Sequence, residues 1–135
     1  DAYVIGGTLA VTTVVKSELD GLLLANGGTP AVRWFGFDRY GTAADVAAKG
    51  VQAGFATWDY VGIATGENYP DALAGGVGAG AHGGVVALTG TNLLPTATHT
   101  MLQDRAPMIM YVDIFGGPAA VSPGVRTAIE DALGW

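Results

Sequence analysis

No cysteine occurs in these 135 residues, which excludes disulfide frameworks, thiolate nucleophiles and Cys-ligated zinc and leaves the redox compartment open. Positive charge is scarce as well. Lys16, Lys49, Arg33, Arg39, Arg105 and Arg126 are the only strong cations, they are scattered along the chain, and the net charge is −6. Binding to nucleic acid depends on a basic footprint that releases counterions, so nucleic acid is not an expected partner. Long apolar runs are missing too: the longest weakly polar stretch, residues 75–88, is glycine-rich and contains His82, so no membrane insertion is expected. The chain begins at Asp1 without an initiator Met or a basic-then-apolar leader, and is expected to be processed or a piece of a longer polypeptide.

Catalytic signatures are equally sparse. Ser17 falls mid-helix, Ser122 is placed as a helix cap, and no G-x-S-x-G occurs. His82 and His99 share no H-x-x-x-H or H-E-x-x-H pattern, so neither zinc nor another metal is expected. The Gly-Gly turns at 6–7 and 116–117 invite a phosphate-binding reading. Neither has G-x-G-x-x-G spacing, however, and glycine's tolerance of unusual backbone angles accounts for them. No cofactor is expected.

What is present is alternation. Five times a β-branched or aromatic run meets a turn signal and then a helix-compatible stretch, which predicts parallel strands with right-handed crossovers. The strands fall at residues 3–5, 31–35, 60–65, 85–88 and 108–115. Thr12 is placed to cap a first helix whose Val14, Val15, Leu19, Leu22 and Leu23 recur at helical spacing, and Asn26-Gly27-Gly28 stops it. The second helix starts near Asp38 and the third at Pro70, with Asn68 or Tyr69 as cap. Pro95 opens the fourth, and Ser122-Pro123 opens the fifth. The expected fold is one α/β domain over residues 1–135, a three-layer sandwich with a mainly parallel sheet.

The chain also repeats itself. Gly6-Gly7, Ala10-Val11, Thr12, Val15 and Leu19 align with Gly116-Gly117, Ala120-Val121, Ser122, Val125 and Ile129 at a constant offset of 110, with Tyr3 against Asp113 the one poor match. Residues 1–30 accordingly look like the end of a preceding repeat, and 31–135 like one full repeat.

Four stretches, RWFGFDRYGTAADVA (33–47), VGIATGENYPDALAGG (61–76), LLPTATHTML (93–102) and YVDIFGGPAAVSPGVRTAI (111–129), resemble in order and spacing the cell-wall-binding repeat type 2 modules of Gram-positive surface proteins. The resemblance implies a Toprim-like or flavodoxin-like fold, no catalysis of its own, and an extracellular place on the cell wall, held there by secondary wall polymers. Such modules come in threes. With about one and a third repeats, this chain would complete the set by homotrimerising or within a larger protein. The family motifs place ligand or subunit contacts at Arg39, Tyr40, Glu67, Asn68 and Asp71. Two other classes remain open: a structural decoration subunit of a larger particle such as a phage virion, and a small-molecule-binding α/β domain using the Gly-rich loops.

Within ATGENYPDAL (64–73), Glu67 and Asp71 are spaced i,i+4 across a helix start. The pair could serve as acid and base or hold a divalent cation, but carboxylates at a helix start also stabilise its free N–H groups. Arg39 is the natural counter-ion if its loop meets theirs. Trp34, Trp58, Tyr60 and Trp135 could form a sugar-stacking platform or serve packing. Each interior glycine of the third helix costs about 1 kcal/mol relative to Ala, so its small face, Ala72, Gly75, Gly76 and Ala79, is expected to admit a close neighbour within or between subunits.

Overall fold

A computed structural model describes residues 2–135, Asp1 lying outside the described residues. Strands and helices alternate: β1 (Tyr3–Ile5), α1 (Thr13–Ala25), β2 (Val32–Trp34), α2 (Arg39–Gln52), β3 (Tyr60–Thr65), α3 (Tyr69–Ala81), β4 (Val85–Thr89), α4 (Thr96–Arg105), β5 (Tyr111–Phe115) and α5 (Pro123–Leu133). The caps explain the starts. Thr12, Asp38 and Ser122 each accept a hydrogen bond from a backbone N–H three residues on, Val15, Gly41 and Val125 respectively. Asn68 takes the cap of α3, its Oδ1 accepting from Tyr69 N–H. The fifth strand is shorter than expected, starting at Tyr111, because residues 106–108 form a 3-10 turn closed by Ile109 N–H donating to Ala106 O.

All pairing is parallel, as expected, but the sheet is divided. β4, β3 and β5 form one sheet with β3 central, and β1 and β2 form a separate pair. β3 is buried along its whole length, so its run of apolar and small residues needs no polar alternation. Its side chains serve two layers. Val61 and Ile63 enter a core with Leu102 of α4 and Val125 and Ile129 of α5, all at most 2% exposed. Gly62 faces α3 on the other side, close to Ala79 and Phe115. Thus α2, α4 and α5 lie together on one face and α3 covers the other, which is the expected three-layer α/β arrangement. Each fully buried Ile, Leu or Val contributes about 1.5–3 kcal/mol through removal from water.

The first helix departs from expectation. Its stripe is apolar at helical spacing, yet no residue of α1 is buried, and Val14, Val15 and Leu22 are more than half exposed. Spacing makes a face; burial needs an element to face it, and among the described residues no helix or strand packs closely on α1. What ties α1 down is polar: Asp20, paired with Lys16 within the helix, accepts from Ala31 N–H.

The two Gly-Gly turns share their backbone geometry. Gly6 and Gly116 have φ of 110° and 104°, a conformation that favours glycine. Ala10 and Val11 donate to Gly7 O just as Ala120 and Val121 donate to Gly117 O.

Candidate functional site

Three loops meet at the carboxyl ends of β3, β4 and β5, where ligands of open α/β sheets commonly bind. Thr91 joins them: its N–H donates to Glu67 Oε1 at 3.0 Å, and its carbonyl accepts from Ser122 N–H at 2.9 Å. Gly66 N–H donates to Thr89 O at 2.7 Å, holding the β3 and β4 ends together beneath. Below that, the buried Thr98 hydroxyl donates to Leu88 O, pinning α4 to the same edge.

Arg39 and Tyr40 reach this edge from the start of α2. Their position depends on Gly36, which sits so close to the Gly41 and Thr42 backbone that any side chain would collide, and whose N–H donates to Thr42 Oγ1. Tyr40 and the Arg39 stem both lie against Gly66. The Arg39 guanidinium donates to the Gly66 carbonyl rather than to either carboxylate, so the expected Arg–carboxylate pair is replaced by an Arg–backbone bond between the same two loops. Arg39 still acts on Glu67 through space. The Thr91 hydrogen bonds, with a smaller contribution from Arg39, hold the Glu67 carboxyl below its usual range despite some desolvation.

Glu67 and Asp71 do not lie across one helix turn. Glu67 precedes the cap, outside α3, and Asp71 stands in the first turn. They nevertheless line one cleft of about 330 Å³ with Thr65, Asn68, Thr91 and Ala120. A second cleft of about 340 Å³ opens on the other side of Glu67, walled by Arg39, Gly66, Tyr69 and Leu88. The Asp71 carboxylate also fills the space a side chain on Gly116 would take, so the loops after β3 and β5 lie side by side. The arrangement offers carboxylate and amide acceptors beside one guanidinium in two open clefts, which suits polar, hydroxyl-rich ligands. Among the described residues no group of three His, Asp or Glu is placed to hold a metal ion.

The sequence did not point to Thr91, and it marked Gly116 only as part of a Gly-Gly turn. The polar run after β4 was the only signal for Thr91, and the Gly-Gly turn at 116 said nothing about Asp71. The aromatic residues do not form one platform. Trp34 packs tilted against Tyr3 with ring centroids 4.2 Å apart, Trp58 lies under Arg105, Tyr60 is stacked on His82, and Trp135 is exposed. Of the small face of α3, Gly75 and Ala79 are buried and Ala72 partly so, whereas Gly76 faces open space.

Residues 33–126, containing every side chain of both clefts, match the family model for cell wall binding domain 2 (CWB2). The chain belongs to this family. Among solved structures, Cwp6 from Clostridium difficile superposes with a TM-score of 0.80 at 19% identity, over 96% of this chain and 19% of that one. Cwp8 from Clostridium difficile gives 0.73 at 24% identity, over 96% of this chain and 20% of that one. This CWB2 chain therefore shares their fold and spans about a fifth of their length. No curated protein matches it in sequence. No helix among the described residues is long and apolar enough to cross a membrane.

Proposed function

We propose that this chain is a non-catalytic adhesion module that holds its protein on the cell surface by binding a cell-wall polymer, and that it works as a homotrimer. The observation that carries the reading is the family match over residues 33–126, which contains all the residues lining the clefts around Glu67. Arg39, Tyr40, Glu67, Asn68 and Asp71 are the residues assigned to ligand or subunit contact. Their chemistry supports binding: acceptors from Glu67 and Asp71, an amide from Asn68 and a donor from Arg39 address glycan hydroxyls without a nucleophile. Ser122, one of two serines, is occupied in capping α5.

Purified sacculi test this reading. The chain should sediment with Gram-positive walls and be released when secondary polymers are stripped, and Arg39→Ala should lower retention about tenfold. Equal retention by stripped and intact walls, or none by either, would overturn it. A second reading, a structural subunit on a larger particle such as a virion, is favoured by the open edge of β5 and the bare face of α1. It predicts self-association with no wall retention.

A further inference from the structure

The β1–α1 and β5–α5 segments are one unit built twice, and each has what the other lacks. β1 carries β2 along one edge, with Tyr3 opposite Val32, Val4 opposite Arg33 and Ile5 opposite Trp34, extended by Gly6 N–H donating to Trp34 O at 2.9 Å. β5 has β3 on one side and no strand on the other, and Gly116 N–H, the counterpart of Gly6 N–H, has no hydrogen-bond partner among the described residues. Conversely, Val125, Ile129, Ala132 and Leu133 of α5 are buried, while Val15, Leu19, Leu22 and Leu23, at the same offset of 110 in α1, are not.

Arg33 supplies an independent observation. Its Nη1 donates to Gly6 O at 2.6 Å, but its Nη2 is a buried atom with no partner among the described residues. At Gly6, among the described residues, no acidic atom stands within 4 Å of the place a side chain would take; only Ala10 Cβ does. At the equivalent glycine of the other unit, the Asp71 carboxylate occupies the space a side chain on Gly116 would fill. A guanidinium placed on Gly116 as Arg33 is placed on Gly6 would therefore meet a carboxylate at the nitrogen that is now unsatisfied.

We infer that β5 of one copy takes the place of β1 on β2 of a second copy, with Asp113 opposite Val32, Ile114 opposite Arg33 and Phe115 opposite Trp34, and that Arg33 of the second copy pairs with Asp71 of the first. The β1–α1 unit is displaced, which gives up the buried Val4 and the Tyr3–Trp34 contact of β1 but no buried residue of α1. The unit that replaces it arrives with its own packed core behind it. The contact is head to tail, so a third copy can close a ring. This deepens the trimer reading and rests on it, but is independent of whether the module binds wall polymer.

Because the chain has no cysteine, disulfide trapping has no background. Val32 and Asp113 are both exposed, and parallel strand neighbours lie within disulfide reach. Full-length Val32→Cys and Asp113→Cys chains, mixed under oxidised glutathione, should form the mixed dimer several-fold faster than either forms a dimer alone or with an Ala25→Cys control. Val4→Pro, which weakens β1 on its own β2, should speed trapping further, and Arg33→Met or Asp71→Asn should slow it, with circular dichroism confirming that each variant is folded. No excess of mixed dimer over the control, or trapping unmoved by Val4→Pro and by both charge variants, would overturn the inference. A chain that fails this test yet sediments with sacculi would leave the wall-binding reading standing.

Discussion

The ring of Phe115 occupies the place a side chain at Gly75 would fill: a Cβ built on Gly75 would lie 2.8 Å from Phe115 Cδ2. Gly78 and Gly62 complete the notch, each with a would-be Cβ at 2.9 Å from the same ring. Three glycines from α3 and β3 thus let the last residue of β5 sit between helix and sheet. The helix propensity lost at Gly75 and Gly78 is offset by the burial of an aromatic ring.

Gly75→Ala should therefore destabilise the chain. Overpacking costs about 1–3 kcal/mol, and only about 1 kcal/mol returns as helix propensity. Gly76→Ala, one residue on and facing open space, should instead stabilise by about 0.5–1 kcal/mol. Thermal unfolding of the pair checks this, and the account fails if both substitutions move the midpoint the same way.

Glu67 links stability to acid. Its folded carboxyl titrates below the ordinary value of 4.5 because Thr91 donates to the ionised form. The stability it contributes is thus complete above the unfolded value and is lost as pH falls through the folded one. Glu67→Gln keeps an acceptor for Thr91 but no charge, so it should unfold more easily than the parent near neutrality, with the gap closing in acid. A gap independent of pH would mean the carboxylate charge plays no part.

Tyr60 links stability to base. The Asp113 carboxylate, accepting its hydroxyl proton, and burial of the ring push the phenol from 10.0 to about 12. A raised folded value means the contribution is complete below 10 and disappears as pH rises toward 12. Phenolate absorbance should show one of the five tyrosines titrating late, and Tyr60→Phe should remove that late step. The substitution should also cost about 1 kcal/mol for the lost hydrogen bond. Five tyrosines titrating together would contradict the Tyr60–Asp113 contact.

Much of this was legible in the residues because it is local. Thr12 and Ser122 cap helices through their own side chains and N–H groups three residues away, so a cap can be read without knowing the fold. The bounds of β3 follow from a run of small and apolar residues between polar turns. The Gly6 and Gly116 turns share sequence and therefore share backbone angles. The candidate site was legible only as a set: Arg39, Glu67, Asn68 and Asp71 do gather at one edge, because each follows a strand end or starts a helix. Their partners were not legible. Arg39 bonds the Gly66 carbonyl and Glu67 the Thr91 N–H, and backbone groups carry no sequence signature.

By itself, then, the sequence determined the order of strands and helices and the caps at Thr12 and Ser122, which depend on residues within a few positions of one another, while the alternation of strand with helix implied the parallel pairing. Only the tertiary structure decided that Phe115 fills the glycine notch, that the sheet divides between β1–β2 and β4–β3–β5, and that the stripe of α5 is buried while the same stripe of α1 is bare. Burial is a property of two surfaces, and a sequence pattern specifies only one of them.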